Sequence, residues 1–460
     1  MNFSGFDEEN INEIKALLRE RFGHSPTAFV RTFGCQQNVS DSERLRGVLA
    51  GLGFGFTQSY DSADFILFNT CAVRAHAEDR VYGQIGALKA YKKARKNAII
   101  AVCGCMTQQS AAAKKIRETF PFVDLIFGVN AAHLLPKMLC ELLTGSERVF
   151  NLQADGEIAE GLPINRDGDL RGWLPVMYGC DNFCSYCVVP YVRGRERSRR
   201  QKDILREAED LIQAGFKDIV LLGQNVNSYG KGLTEPADFA GLLRRVCALP
   251  GEFTVRFMTS HPKDCTRDLL LAMSECEKAA RHLHLPFQSG SDRILAAMNR
   301  GYGREHYISL ISAAREFMPD LAVTGDVIVG FPGETEEDFL GTLSLIKEVE
   351  FNSLYTFIYS PREGTPAAKL PDHVTHLEKT ERMARLLRLQ EEIAARKNEM
   401  FVGKTVRALC EKSEKDGIIT ARTGQNQMIE VPGGWEHVGK FERVTVTASG
   451  NYLLKGEFAN

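Results

Sequence analysis

Cys180, Cys184 and Cys187 stand in the run Gly-Cys-Asp-Asn-Phe-Cys-Ser-Tyr-Cys, residues 179–187, with gaps of three and two residues between them. Thiolates that close in sequence can grip one metal centre, but three of them leave a coordination position free. A structural zinc site closes its shell with four ligands, usually as two paired units. No fourth Cys or His follows here at zinc-finger spacing. An iron–sulfur cube held by three cysteines offers one iron with an open position, where a small molecule can be bound and broken. Directly after the third cysteine, Val192 to Lys202 carries six basic residues against one acid. Such a run ordinarily marks a solvated face. Beside a metal centre it also reads as a contact for a phosphate backbone, with Arg193, Arg195 and Arg197 as the candidate residues.

A second set of cysteines lies upstream, and its meaning comes from the elements that carry it. Ala28–Phe33, Phe65–Phe68, Ala98–Val102 and Leu125–Gly128 read as strands alternating with helices, the pattern of a parallel sheet. In such sheets ligands gather beyond the carboxyl ends of the strands. The first strand is followed by Cys35, the second by Cys71, and the third by Cys103 and Cys105. One cysteine at a strand end is most often a small buried residue. Three at equivalent ends point to another three-thiolate site, built from Cys35, Cys71 and either Cys103 or Cys105. Cys105 is preferred because it lies past Gly104, where a side chain can turn outward. Ser40 and Glu43 form a capping box that starts a helix running to about Leu52. A closing helix spans Ala132 to Leu143, with Cys140 on its apolar stripe.

The remaining chain sorts into four further segments. Residues 1–26 read as a helical extension ahead of the first α/β domain, 27–145, and 146–173 have linker composition. From 174 to 395 six strand candidates alternate with helices: Leu174–Tyr178, Asp218–Leu222, Thr254–Met258, His282–Phe287, Ala322–Val329 and Leu354–Tyr359. That series predicts a partial (β/α) barrel whose working face lies at the C-terminal strand ends. Cys180 follows the first of these strands, and polar or Gly-rich loops follow the other five. After a helix with Met383, Leu386, Leu389 and Ile393 on one face, residues 396–460 alternate in short stretches and read as a small antiparallel β-barrel of a nucleic-acid-binding kind. Cys247, Cys265, Cys276 and Cys410 have no partner spacing and read as reduced, structural thiols.

Composition is that of a globular protein: 460 residues, 44% hydrophobic and 25% charged, with a formal net charge of −2. A near-neutral total neither demands nor excludes nucleic acid. No apolar run reaches the length of a membrane span, and Met1–Asn10 lacks the features of a signal peptide. The expectation is a cytoplasmic protein without a membrane partner, its 12 cysteines reduced or metal-bound.

Taken together, these segments resemble the radical S-adenosylmethionine (SAM) methylthiotransferases along nearly the whole chain. The resemblance rests on Thr32-Phe33-Gly34-Cys35-Gln36, Asn69-Thr70-Cys71-Ala72-Val73-Arg74, Gly104-Cys105-Met106, the run Cys187 to Arg199, and Gly223-Gln224-Asn225-Val226-Asn227-Ser228-Tyr229-Gly230. Gln37 departs from the Met often found there, but it is not a ligand type. The resemblance implies an N-terminal cysteine domain, a radical-SAM barrel and a C-terminal TRAM domain. It implies two [4Fe-4S] clusters, one on Cys180, Cys184 and Cys187 that binds SAM, and an auxiliary one on Cys35, Cys71 and Cys105. Tyr186 is expected near the adenine of SAM, with Gln224, Ser289, Arg300 and Asp326 as polar contacts; no side chain is singled out as a catalytic acid or base. Pro190-Tyr191 and the Gln-Asn-Val-Asn loop favour the branch that modifies tRNA. The implied reaction inserts a methylthio group at carbon 2 of N(6)-isopentenyladenosine next to the anticodon. One SAM would be the methyl donor and one the radical source, because an unactivated aromatic C–H has no acid–base route to substitution. The implied partners are the anticodon stem-loop of tRNA and a flavodoxin-type electron donor, for a monomeric protein. Threonylcarbamoyl-adenosine in tRNA, or a ribosomal-protein aspartate, is the alternative substrate. A non-enzymatic iron–sulfur or zinc module that binds RNA is the alternative of another class. Metal analysis separates the classes: two clusters give about eight irons per chain with matching sulfide, whereas one zinc and no sulfide would identify the module.

Overall fold

The computed structural model describes residues 8–72, 75–153, 158–166, 168, 170–414 and 417–459, the side chains of 75–77 excepted. Val73 and Arg74 of the resemblance motif, residues 1–7 of the extension, and Asp155, Gly156 and Asp167 of the linker lie outside them. The chain divides into two compact units. The first holds Met1–Gly168, Tyr178–Asp181 and Cys187–Arg197; the second holds Asp169–Met177, Asn182–Tyr186 and Ser198–Asn460. No helix among the described residues is long and apolar enough to cross a membrane.

In the first unit six strands form one sheet: β1 (Thr27–Thr32), β2 (Gly55–Phe56), β3 (Phe65–Thr70), β4 (Ile99–Gly104), β5 (Leu125–Gly128) and β6 (Val149–Asn151), in the order β2-β1-β3-β4-β5-β6. Every pairing is parallel. The strands are apolar on both faces, as a sheet covered on both sides requires. Phe65, Leu67, Ile99, Ala101, Leu125 and Phe127 enter one core, while Ile66, Phe68, Ile100, Val102 and Ile126 enter the other. Cys103 follows Ile99 and Ala101 into the first of these cores. The opening helix, Glu8–Phe22, buries Ile11, Ile14 and Leu18.

One expected start is corrected. The helix after β1 begins at Gln36 with Cys35 as its N-cap, so Ser40 and Glu43 lie inside it, both buried, and form no capping box. Contacts beyond the helix hold it instead. Asn38 Nδ2 donates to Asn69 Oδ1 (3.2 Å) and to the Thr70 carbonyl (3.0 Å), and Glu43 pairs with Arg166 at 3.2 Å. The closing helix also starts later, at Leu135, behind a 3-10 turn over Val129–Leu134.

In the second unit six parallel strands answer to the six expected, as two sets of three; the first lies earlier than expected, at Arg171–Pro175 rather than Leu174–Tyr178, and so begins inside the expected linker. Thr254–Phe257, Asp218–Leu222 and Arg171–Pro175 form one set; His282–His284, Ala322–Val329 and Ser353–Ile358 form the other. A parallel bridge between Val255 and Ala279 links the sets, which completes a partial barrel around one apolar core. The helix His376–Glu399 opens with a capping box of Thr375 and Glu378 and sends Leu386 and Ile393 into that core. The C-terminal segment is a closed five-stranded barrel. Its core takes every second residue: Ala408 and Cys410, Ile419 and Ala421, Ile429 and Val431, Val444 and Val446, and Leu454. A fifth strand, Leu453–Phe458, escapes a reading by turn signals. It pairs parallel to Met428–Pro432, the one parallel pairing in an otherwise antiparallel barrel.

A buried charge network ties this barrel to the (β/α) strands. Asp218, 1% exposed, accepts from Arg171 (2.8 Å) and Arg256 (3.0 Å). Glu411 pairs with Arg171 and Arg422, and Arg256 donates to the carbonyls of Thr423 (2.8 Å) and Gly424 (3.2 Å). Removing the shared carboxylate leaves the buried Arg256 without its counter-ion and Arg171 with Glu411 alone. Asp218→Ala is expected to cost about 3–5 kcal/mol, read as a lower denaturation midpoint for the full chain; a loss below about 1 kcal/mol would contradict this role.

Candidate functional site

Parallel register brings three of the predicted thiols to one sheet edge. Thr32 is level with Asn69, and Thr70 with Gly104, so Cys35, Cys71 and Cys105 all lie just past the ends of adjacent strands. Two glycines allow the approach. A Cβ on Gly34 (φ +130°) would stand 2.6 Å from Cys71 Cβ and 3.1 Å from its Sγ. A Cβ on Gly104 (φ +108°) would stand 2.3 Å from the Thr70 carbonyl oxygen. Both glycines therefore meet a steric and a conformational demand that no other residue satisfies. Polar residues that sequence reasoning missed lock the arrangement. Asn69 Nδ2 donates to the Asn38 carbonyl (2.9 Å) and Ser42 Oγ (3.0 Å), and Thr70 Oγ1 donates to the Cys103 carbonyl (2.5 Å). The Cys35 thiol donates to Asn38 Oδ1 at 3.3 Å. The pairing of Asn38 with Asn69 joins residues 31 apart in the chain and is fixed only by the fold.

Cys71 and Cys105 are 2% and 3% exposed, whereas Cys35 is exposed. The pKa of the Cys105 thiol is pushed up to about 12, chiefly by burial; Arg193 acts to lower it, and the charges of Cys71, Cys35 and Asp41 act to raise it. Cys71 and Cys35 are the other two cysteines of the predicted set. Cys103, by contrast, faces the core between strand and helices. A thiol held that high keeps its proton until a metal displaces it. Among the described residues no three Cys, His, Asp or Glu side chains gather tightly enough for a single metal ion. A cube places each sulfur on a different iron, so its ligands stand farther apart than those of one ion. An all-sulfur donor set beside a cation suits such a cluster.

The basic run is divided between the two units, and several of its arginines are already committed to partners. Arg193 corrects the sequence reading: its side chain is 3% exposed and pairs with Asp41 at 2.7 Å, so it offers no surface to a phosphate backbone. Its helix, Val189–Arg193, packs on the short helix Cys105–Gln108, and Val188 and Val192 share an apolar cluster with Ala72 and Cys105. Arg195 pairs with Asp181 at 2.7 Å with its side chain 74% exposed. Arg197 donates to the Arg193 carbonyl at 3.0 Å, and in the second unit Arg199 is buried against Glu207 at 2.8 Å. Exposed pairs such as that of Arg195 contribute ~0–1 kcal/mol and can exchange their carboxylate for a phosphate. Cys180 is held by its backbone N–H to the Gly194 carbonyl at 3.2 Å.

In the second unit Cys184, Tyr186 and Arg300 come together. Arg300, 5% exposed, donates from Nη1 to Cys184 Sγ and Tyr186 Oη, both at 3.3 Å, and from Nη2 to the Pro286 carbonyl at 2.9 Å. Ser185 N–H and Oγ bond the Met298 and Ala297 carbonyls at 2.9 and 2.8 Å. Asn299 Nδ2 donates to the Phe183 carbonyl at 3.0 Å. Tyr186 packs beside Ile294, Met298, Phe331 and Tyr359. The other predicted contacts are dispersed, Asp326 within the strand Ala322–Val329 and Gln224 and Ser289 in loops beyond strands. Ser289 is buried with its hydroxyl 3.4 Å from Thr342 Oγ1, Asp326 pairs with His284 at 3.4 Å, and Gln224 is half-buried.

The strand-end loops of this barrel carry buried polar atoms without hydrogen-bond partners: Asn225 Oδ1, both amide atoms of Asn227, Ser260 Oγ, His261 Nε2 and Gln288 Oε1. Each such atom costs about 1–3 kcal/mol when nothing meets it. His261 Nδ1 accepts the Lys263 N–H at 3.2 Å. Burial, with Arg300, Lys263 and Lys231 nearby, pushes its pKa down to about 2. The ring is therefore neutral, and Nε2–H is a donor. Phe183, Thr259, Gln288 and Asn299 also sit at positive φ (+46°, +66°, +67° and +57°), a concentration of strain found at ligand sites. Sequence reasoning marked these loops but not Asn227, Ser260 or His261 individually; orphaned atoms are visible only once the neighbours are placed. This lining suits a polar ligand such as SAM.

Cys184 clamped by Arg300, at the head of a parallel partial barrel with a polar mouth, defines a protein of the radical-SAM class. Family models agree: the radical SAM superfamily matches residues 174–346, uncharacterized protein family UPF0004 matches 27–128, and the TRAM domain matches 399–459. The chain is 46% identical over 458 residues to a tRNA-2-methylthio-N(6)-dimethylallyladenosine synthase of Caldicellulosiruptor saccharolyticus, covering 98% of this chain and 97% of that one. It is 46% identical over 449 residues to the protein of that name from Clostridium novyi, covering 97% and 98%. The chain belongs to the family of tRNA-2-methylthio-N(6)-dimethylallyladenosine synthases. The fold is shared with the radical SAM methyltransferase TsrM from Kitasatospora setae, solved with cobalamin and a [4Fe-4S] cluster, at TM-score 0.55 and 14% identity over 75% of this chain and 77% of that one. It is also shared with the cobalamin-dependent SAM radical enzyme OxsB, at TM-score 0.52 and 14% identity over 80% and 56%.

The glycine geometry has a direct consequence. Gly104→Ala is expected to push the Cys105 loop off β3, cutting the iron bound by reconstituted protein from about eight to about four per chain with the far-ultraviolet circular dichroism unchanged. Full iron retention would show that the close approach is not needed.

Proposed function

We propose that this chain is a tRNA methylthiotransferase that inserts a methylthio group at carbon 2 of N(6)-isopentenyladenosine beside the anticodon. The observation that carries the reading is the convergence of Cys35, Cys71 and Cys105 in a chain that also bears the Cys180, Cys184 and Cys187 loop. Two [4Fe-4S] clusters and SAM, when bound, would supply radical chemistry and a sulfur-bearing site. Cys180, Cys184 and Cys187 would hold the first cluster by their spacing, and Cys35, Cys71 and Cys105 the second.

The chain's own groups then have separable tasks. Arg300 fixes Cys184 and the Tyr186 hydroxyl against one guanidinium, so the cluster loop and the ring expected beside the SAM adenine share one anchor. The orphaned polar atoms of Asn225, Asn227, Ser260 and Gln288 would meet the amino, carboxylate and hydroxyl groups of SAM. His261 would offer an uncharged donor, which adds no repulsion toward a sulfonium. Gln224, Ser289 and Asp326 are second candidates for the same ligand. Arg195 and Arg197 remain the candidates for the anticodon stem-loop, joined by the C-terminal barrel. A monomeric, cytoplasmic protein fed by a flavodoxin-type donor completes the reading.

Reduced, reconstituted protein incubated with SAM and isopentenylated tRNA is expected to yield a nucleoside in which one hydrogen is replaced by a methylthio group, detected by mass spectrometry. Cys71→Ala should abolish that product while sparing some 5′-deoxyadenosine formation, whereas Cys180→Ala should abolish both. An unchanged nucleoside from isopentenylated tRNA, with product from threonylcarbamoyl-adenosine tRNA, would move the assignment to the other substrate.

A further inference from the structure

Among the described residues, Arg193 is a buried cation beside the auxiliary cysteines, and one of its two terminal nitrogens meets no hydrogen-bond partner. Its Nη2 donates to Asp41 Oδ2 at 2.7 Å. Its Nη1 is buried and has no hydrogen-bond partner. Two elements place it. Asp41 lies on the helix Gln36–Gly51, whose N-cap is Cys35. Arg193 ends the helix Val189–Arg193, which packs on the helix that opens with Cys105. The guanidinium is therefore held between the backbone segments that carry two of the three predicted ligands. Its electrostatic neighbours, after Asp41, are Cys105 and Cys35. A buried guanidinium with an N–H that meets nothing is costly to keep, and an electronegative group arriving on those cysteines would relieve the cost.

We propose that Arg193 is a positioning residue for the auxiliary cluster: its Nη1–H donates to a sulfur of the cluster–thiolate assembly and its charge raises the cluster's reduction potential, while Asp41 sets how much of that charge is felt. The proposal rests on the reading of Cys35, Cys71 and Cys105 as cluster ligands. Its physical basis is general. One-electron reduction of a [4Fe-4S] centre, with the electron taken from a low-potential reductant and no bond made or broken, adds one negative charge. A fixed cation and an N–H···S bond both stabilise that charge, and charge and hydrogen bonds to sulfur are main determinants of cluster potential. Arginine suits the position better than lysine because its planar fork serves Asp41 with one arm and presents the other elsewhere.

The test is a dithionite-poised redox titration of full-length reconstituted protein, followed by electron paramagnetic resonance. The wild type is expected to show two one-electron waves, and the SAM-cluster wave serves as internal control. In Arg193→Gln the reduced-to-oxidised ratio of the auxiliary cluster at fixed potential should fall about tenfold or more, a midpoint lower by about 59 mV. Arg193→Lys should restore most of the loss. Asp41→Asn, which leaves the guanidinium unopposed, should shift the same wave upward. The SAM-cluster wave should stay in place throughout. An auxiliary wave unmoved in Arg193→Gln, or moved downward in Asp41→Asn, would overturn the proposal. So would loss of that cluster alone in a folded Arg193→Gln protein, because the residue would then assemble the site rather than tune it. A wild type with a single wave and about four irons would instead defeat the underlying reading of the second cluster.

Discussion

Adjacent parallel strands run only about 4.8 Å apart, and in the first unit the ends of β1, β3 and β4 use nearly all of that closeness. Gly34 presses on Cys71, and Gly104 presses on the Thr70 carbonyl, at distances where no side chain fits. Everything proposed for the N-terminal domain depends on this crowding. It puts Cys35, Cys71 and Cys105 within each other's fields. It also forces the surrounding polar groups into a fixed network, because Asn38, Asn69 and Thr70 are buried and must find one another. The loops that carry the thiols are thereby held by the most rigid part of the fold, the middle of a sheet buried on both faces.

The second unit obeys the opposite logic at its functional end. Where Asn38, Asn69 and Thr70 satisfy one another at the N-terminal sheet edge, the barrel mouth is left with unmet donors and acceptors and with four non-glycine residues at positive φ. Stability is recovered elsewhere, in the apolar barrel core and in the Asp218–Arg171–Arg256 network that fastens the C-terminal barrel. Arg300 is the exception at the mouth: it is fully engaged, and what it engages is Cys184 and Tyr186. A site built this way is rigid where it anchors a ligand-bearing loop and unsatisfied where a ligand's own polar groups would enter.

Much of this was legible in the sequence because parallel sheets obey simple rules. Strand–helix alternation located the four central strands of the first sheet and the six of the second unit, but not the edge strands Gly55–Phe56 and Val149–Asn151, the latter inside the expected linker; the carboxyl-end rule turned scattered cysteines into a set. What stayed hidden depends on distant neighbours. Ser40 and Glu43 imitate a capping box, but the helix, held by bonds from Asn38 to β3, has its N-cap at Cys35, five residues before Ser40. Arg193 looked like one of six interchangeable surface cations. Only the position of Asp41, on an element about 150 residues away in the chain, reveals it as buried. The fifth strand of the C-terminal barrel, Leu453–Phe458, has the right alternation, but it lies past the last turn signal and is fixed by pairing with the preceding strand and, in parallel, with the non-adjacent Met428–Pro432.

The central claim is that the first domain by itself holds a cube with one iron that no cysteine binds. Mössbauer spectroscopy of iron-reconstituted protein in which Cys180, Cys184 and Cys187 are all alanine tests it most directly, since only the second centre can then form. The account predicts a [4Fe-4S] spectrum in which one iron site is distinct from the other three, in a ratio of about one to three. A spectrum without a cube, or one whose four irons are equivalent, would contradict it.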